Sequence, residues 1–167
     1  MKNIIFIGMP ASGKTTVARL VSERLHRPLF DTDAEIERMS GKTVAKIFAD
    51  EGEPEFRRRE EEMLLALSEK SGAVIATGGG AVLHGRAMTA LRKSGTVYFL
   101  DRPLAETEKN MGGAERPLLC GDAERLKELF AAREKLYRRY ASCVLSGGTP
   151  EELADTVVLF AEMTAEE

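Results

Sequence analysis

The stretch GMPASGKT, residues 8–15, follows the apolar run NIIFI and precedes a segment with helical periodicity. Its spacing, GxxxxGK followed by Ser or Thr, is that of a phosphate-binding loop between a strand and a helix. In that setting backbone N–H groups of the loop converge on phosphate oxygens, and the start of the helix adds the positive end of its dipole. Gly8 and Gly13 permit the backbone path, and Pro10, Ala11, Ser12 and Thr16 belong to the nucleotide-binding set, with Lys109 and Arg116 further along the chain. Lys14 is placed to reach the β and γ phosphates, and the Thr15 hydroxyl to ligate Mg²⁺. The motif alone also arises by chance in glycine-bearing turns. The strand before it and the helix after it are what give it meaning.

Outward from the loop, short β-rich runs alternate with amphipathic segments, the pattern of a parallel sheet with helices on both faces. Strands are predicted at 3–8, 28–31, 73–78, 96–101 and 142–146. The first helix starts near Lys14, with Val17, Val21 and Leu25 on one face. The last carries Leu153, Val157, Phe160 and Ala161 on one stripe and opens on a capping box, Thr149 with Glu152, with Pro150 at its first position. The fold class expected is α/β, a five-stranded parallel sheet covered on both faces. Residues 110–122, NMGGAERPLLCGD, have paired glycines and no periodicity, and read as a mobile loop.

A chain of 167 residues forms one domain, here 1–167. With 43% hydrophobic and 31% charged residues it is of ordinary globular composition, not that of a disordered chain. A net charge of -3 without a long basic run argues against nucleic acid as a partner. The run IIFI at 4–7 is too short for a signal peptide core, and no run is long enough to span a membrane. Two cysteines, Cys120 and Cys143, without a CxxC or Cys/His cluster indicate neither a disulfide framework nor a zinc site. The cytoplasm is the expected compartment.

A phosphate loop does not by itself separate a kinase from a nucleotide-driven switch. Four downstream features bear on that choice: DTD at 31–33, GEPEFR at 52–57, ATGGG at 76–80, and RPLL at 116–119 with REKLYRR at 133–139. Each has a plain structural explanation when taken alone. Thr32 and Glu35 have capping-box spacing, so that Asp33 need only favour a first helical turn. FRRREEE, residues 56–62, reads equally as a solvated helix face with Arg57 and Glu61 paired at i, i+4. Arg133 differs, because it sits within the apolar stripe Leu126, Leu129, Phe130, Leu136, Tyr137 and Tyr140. A charge there requires a partner, either an internal carboxylate or a ligand.

Taken together and in order, these motifs resemble those of the shikimate kinases, from the phosphate loop to about Tyr140. The resemblance implies a nucleoside-monophosphate-kinase-like fold with a mobile lid at about 110–123, and a substrate-binding segment at about 32–60. It implies ATP-dependent phosphoryl transfer to the 3-hydroxyl of shikimate, with Mg²⁺, in aromatic amino-acid biosynthesis. By the same resemblance Arg57 and Arg133 grip the substrate carboxylate. Asp33 and the Gly79 N–H, flanked by Gly78 and Gly80, hold ring hydroxyls. Phe48 and Phe56 wall the apolar side of the ring. Asp31 lies in the Mg²⁺ shell through water, and Arg116 closes over the γ phosphate. Lys14, Asp33 and Arg116 form the catalytic set, Asp33 as base or as orienting group. A monomer is expected.

The sequence departs from the family pattern at Lys109, where an arginine that stacks on adenine is usual, and at Lys135, where a proline is usual. Cys120 reads as an incidental loop thiol. His26 and His84 stand without a second His or Cys nearby, so neither metal binding nor catalysis is expected of them. Two rivals remain open: a gluconate or other small-metabolite kinase, which need not keep both arginines for one carboxylate, and a nucleotide switch without an acceptor.

Overall fold

The alternation of β1 (Asn3–Ile7) sets the layering. Its side chains point to opposite faces at successive positions. Ile4 and Phe6 join one buried cluster, Ile5 and Ile7 the other. A strand buried on both faces needs helices on both, which is what the intervening segments supply. The computed structural model describes residues 1–109 and 123–164.

In chain order the elements after β1 are α1 (Lys14–Leu25), β2 (Leu29–Asp31), α2 (Thr32–Ser40), α3 (Val44–Glu51) and α4 (Glu53–Ser68). They continue as β3 (Val74–Ala76), a 3₁₀ turn at Ala81–Leu83, α5 (Gly85–Ser94), β4 (Gly95–Asp101) and α6 (Leu104–Lys109). The last three are α7 (Ala123–Tyr140), β5 (Cys143–Ser146) and α8 (Pro150–Met163). The five strands pair in parallel in the order β2-β3-β1-β4-β5. The expected fold class is therefore the observed one, and the predicted strands agree with the observed ones to within two residues at each end.

On one face α1 and α8 bury Val17, Ala18, Val21, Leu153, Ala154 and Val157 against Ile4, Phe6 and Tyr98. On the other, α4, α5 and α7 bury Leu64, Met88, Leu91 and Tyr137 against Ile5, Ile75 and Phe99. The capping box of α8 forms as expected: Thr149 Oγ1 accepts from the Glu152 N–H at 3.2 Å, and Glu152 Oε2 accepts from the Thr149 N–H at 2.8 Å. Phe160 of the expected stripe is the exception. It stays 41% exposed and meets the core edge-on at Tyr98.

The strand order places β1 at the centre with β3 and β4 on its two sides, so the connection from β1 runs to β2 on one side and the connection from β3 crosses to β4 on the other. That reversal opens a crevice at the carboxyl ends of the strands. The segments 8–15, 31–33 and 77–80 follow β1, β2 and β3 directly and meet there.

Candidate active site

The phosphate loop wraps its own lysine. Lys14 is buried, and its ammonium donates to the carbonyl oxygens of Gly8 at 2.8 Å and Met9 at 2.6 Å. A cation held by backbone carbonyls at the base of a helix N-terminus gives the loop a fixed positive centre. Ala11 adopts φ 63, a left-handed conformation that costs a non-glycine residue energy and marks a loop whose path is set by its surroundings.

Beyond the loop, one pocket is lined by Pro10 to Thr16 on the phosphate side and by Asp31, Asp33, Phe48, Phe56, Arg57, Gly78, Gly79, Gly80 and Arg133 on the other. Val44, Glu60 and Thr77 complete its lining. Sequence reasoning thus named most of the wall. Gly8 lies just behind the loop, packed so closely on β4 that a Cβ would come 2.8 Å from the Leu100 carbonyl oxygen. Lys109 ends α6, exposed and outside the pocket lining. Arg116 and Cys120 lie outside the described residues, as does the expected lid.

The two acids of DTD both reach the pocket, one from the end of a strand and the other from the start of a helix. Asp31 ends β2, and the chain turns at once into α2, so Asp33 sits in the first helical turn. The helix cap is Asp31, not Thr32: its Oδ1 accepts from the N–H groups of Asp33 at 3.1 Å and Ala34 at 3.2 Å. A carboxylate at this position satisfies donors that have no partner within the helix and suits its dipole. The Thr32 hydroxyl is used elsewhere, accepting from the Gly78 N–H at 2.9 Å and so joining α2 to the turn after β3. Asp31 Oδ2 accepts from the Thr15 hydroxyl at 2.7 Å. Hydroxyl and carboxylate oxygens side by side are donors suited to a hard cation such as Mg²⁺, which binds few protein oxygens and retains waters.

Asp33 is a carboxyl under strain. Its Oδ1 is buried and has no hydrogen-bond partner. Burial first, then the negative charges of Glu60 and Asp31, push its pKa from 3.8 up to about 7, against the pull of Lys14. A carboxyl with an open acceptor and a pKa near neutrality is equipped to receive a proton.

Arg57 does not pair with Glu61. Its Nη1 donates to Glu60 Oε2 at 2.7 Å, and its Nε and Nη2 make longer contacts, 3.3 Å each, to Glu53 Oε1. Glu60 lies three residues after Arg57 and Glu53 four before it, both within reach of its side chain. Glu60 is the residue that sequence reasoning missed. It is 1% exposed, and the signal was available: Phe56, Glu60, Met63, Leu64 and Leu67 form the buried face of α4, with an acid inside an apolar stripe. Burial opposes its ionisation, but the hydrogen bond from His84 and the charge and hydrogen bond of Arg57 outweigh it and hold the carboxyl below its ordinary range.

Arg133, 5% exposed on α7, also lines the pocket and hydrogen-bonds Tyr137. Tyr137 in turn donates to the Gly79 carbonyl at 2.6 Å, fixing the glycine turn from α7. Phe48 and Phe56 lie with ring centroids 4.8 Å apart and form the apolar wall.

A glycine turn is required here by close approach. A Cβ on Gly79 would fall 2.6 Å from the Pro10 ring, and one on Gly80 would collide with the Arg57 guanidinium. The glycine turn and the phosphate loop therefore share one wall of the pocket at close contact.

A parallel sheet with a phosphate loop at its centre, facing a small pocket that holds two arginines and a poised carboxyl, defines a P-loop kinase of small molecules. The chain matches the shikimate kinase family model over residues 10–162 and belongs to that family. It is 46% identical over 144 residues to a shikimate kinase of Symbiobacterium thermophilum, covering 83% of either chain. Its structure superposes on a shikimate kinase from Acinetobacter baumannii in complex with shikimate with a TM-score of 0.93, at 33% identity over 98% of this chain and 94% of that one. A gluconokinase from Sinorhizobium meliloti, 17% identical with a TM-score of 0.58 over 99% of this chain and 94% of that one, shares the fold alone. The chain is an ATP-dependent phosphotransferase, and the switch without an acceptor is set aside.

Proposed function

We propose that this site transfers the γ-phosphoryl group of ATP to the 3-hydroxyl of shikimate. The observation that carries the reading is the pair of arginines, Arg57 and Arg133, lining one pocket together with Asp33 and the phosphate loop. Two guanidinium groups match one carboxylate, and the planar fork of arginine suits it better than lysine would. Phe48 and Phe56 offer a ring an apolar face.

Phosphoryl transfer passes through a loose transition state, so the protein contributes chiefly position, charge and exclusion of water. Lys14 and the loop N–H groups bind and orient the phosphates. Arg57 and Arg133 anchor the acceptor by its carboxylate, which turns a ring hydroxyl toward Asp33. Asp33 accepts that hydroxyl's hydrogen bond and takes its proton as the oxygen is phosphorylated. Thr15 and Asp31 would hold Mg²⁺, which when bound neutralises charge on the phosphates. Arg116, by its place in the motif RPLL, adds positive charge over the γ phosphate. ATP as phosphoryl donor supports the cytoplasm as its compartment, and among the described residues no helix is long and apolar enough to cross a membrane.

The test is ADP release with shikimate, quinate, gluconate or no acceptor. Turnover that requires shikimate supports the proposal. Hydrolysis equally fast without any acceptor, or a preference for gluconate, refutes it.

A further inference from the structure

His84 has no part in the mechanism above, yet it touches its machinery. The residue precedes α5, its side chain is 10% exposed, and its Nε2 lies 2.8 Å from Glu60 Oε2. That oxygen is the same one that accepts from Arg57 Nη1 at 2.7 Å. An ionised carboxylate can only accept, so the hydrogen between His84 and Glu60 resides on Nε2. The other oxygen, Oε1, is turned toward the glycine turn, 2.8 Å from where a Cβ on Gly78 would sit and close to Asp33 Oδ1 at the same point.

The consequence falls on Arg57. A buried carboxylate needs donors, and a single arginine beside it tends to supply two parallel N–H groups. Here His84 supplies the second donor, and Arg57 commits only Nη1 to Glu60. Its Nε and Nη2 rest on Glu53 at 3.3 Å, and the Glu53 side chain is 50% exposed. Long bonds to a solvated carboxylate are easily exchanged for bonds to a ligand.

We propose that His84 is a positioning residue for the acceptor pocket: by sharing the Glu60 carboxylate with Arg57, it leaves the Nε and Nη2 edge of the guanidinium available to the substrate's carboxylate. The inference rests on the assignment of a carboxylate-bearing acceptor, shikimate, made above. Glu60 is ionised against the cost of its burial with the His84 hydrogen bond as the leading favourable contribution, which accords with this sharing.

The experiment compares His84→Leu and His84→Gln with the parent enzyme, measuring KM for shikimate, KM for ATP, kcat and melting temperature. His84→Leu leaves Glu60 to Arg57 alone and is expected to raise KM for shikimate about tenfold, the scale of one charge-assisted hydrogen bond partly transmitted to the ligand, with KM for ATP unchanged. His84→Gln keeps an amide N–H donor and is expected to recover most of that loss. A lower melting temperature with an unchanged KM for shikimate makes His84 a packing residue and overturns the inference. So does a His84→Gln variant as impaired as His84→Leu, which would make ring shape rather than the donor responsible. If His84→Leu does not fold, His84→Met, apolar and flexible, takes its place with the same expected and overturning values. Failure of the parent enzyme to phosphorylate shikimate refutes the acceptor assignment itself and the inference with it. A parent active on shikimate beside a variant of unchanged KM refutes the inference alone.

Discussion

The Thr15 hydroxyl donates to Asp31 Oδ2 across 2.7 Å, while Asp31 Oδ1 takes the N–H groups of Asp33 and Ala34. One carboxylate thus joins the phosphate loop to the helix that carries the acceptor's acid. Its two duties separate on substitution. Asparagine caps a helix about as well as aspartate, so Asp31→Asn is expected to keep the melting temperature near that of the parent. It removes the charge that would face the metal, so half-maximal turnover should need several-fold more Mg²⁺. Asp31→Ala loses the cap as well, about 1 kcal/mol of stability. Thermal melts and Mg²⁺ titrations of ATP turnover check both; an unaltered Mg²⁺ requirement in Asp31→Asn removes Asp31 from the metal's surroundings.

Arg133 stands inside the apolar stripe of α7 with its fork in the pocket. Arg133→Ala is expected to raise KM for shikimate roughly 30- to 100-fold, the cost of a charge-assisted pair, with KM for ATP little changed. Arg133→Lys retains the charge but not the fork and falls between. Steady-state kinetics with each substrate varied decide it. Equal effects on both Michaelis constants would mean that Arg133 serves the fold rather than the acceptor.

Gly80 has no room for a methyl group, because the Arg57 guanidinium occupies it. Gly80→Ala must displace the arginine. The expected result is a KM for shikimate raised at least tenfold and a smaller change in kcat, as for loss of ground-state binding. A crystal structure of the variant with Arg57 unmoved would contradict this account of the turn.

Asp33 carries a pKa raised from 3.8 to about 7 by burial and by its acidic neighbours. Between those two values the folded chain holds a proton that the unfolded chain has lost. Stability therefore falls as pH rises across that window, by at most about 4 kcal/mol, and the full loss is reached above the folded value. Asp33→Asn removes the penalty. Its melting temperature should exceed that of the parent at pH 8 and match it near pH 4, while turnover drops by ~10² or more because an amide cannot take the proton. In the parent, kcat/KM for shikimate should rise as pH passes through about 7. An equal melting difference at both pH values, or full activity in the variant, would show that Asp33 is no more than part of a helix turn.

Much of this was legible in the sequence because the signals were local. The phosphate loop, the two-face alternation of NIIFI and the Thr149 cap depend on neighbours within a few residues. Arg133 was legible by a different route, as a charge where periodicity demanded an apolar residue. The same argument applied to Glu60 and was obscured by the run of charges in FRRREEE, in which the buried acid looks like its solvated neighbours. Asp31 caps α2 in place of Thr32, whose hydroxyl is engaged by the Gly78 N–H on another element. Which side chain caps α2 is decided by contacts across the sheet, and spacing along the chain carries no record of them. The order of the strands was likewise invisible to residue patterns.

Pro10 packs so closely on Gly79 that a side chain at position 79 would have no room, and neither residue brings a charge to the contact. In the proposed reaction the spacing between the two halves of the site is thereby gauged by hard-sphere contact, in a packed interior of low compressibility. Salt and pH weaken the charged grips in the pocket and leave that contact alone. Conditions that cost the proposed site affinity for either substrate therefore keep this boundary between its two halves in place.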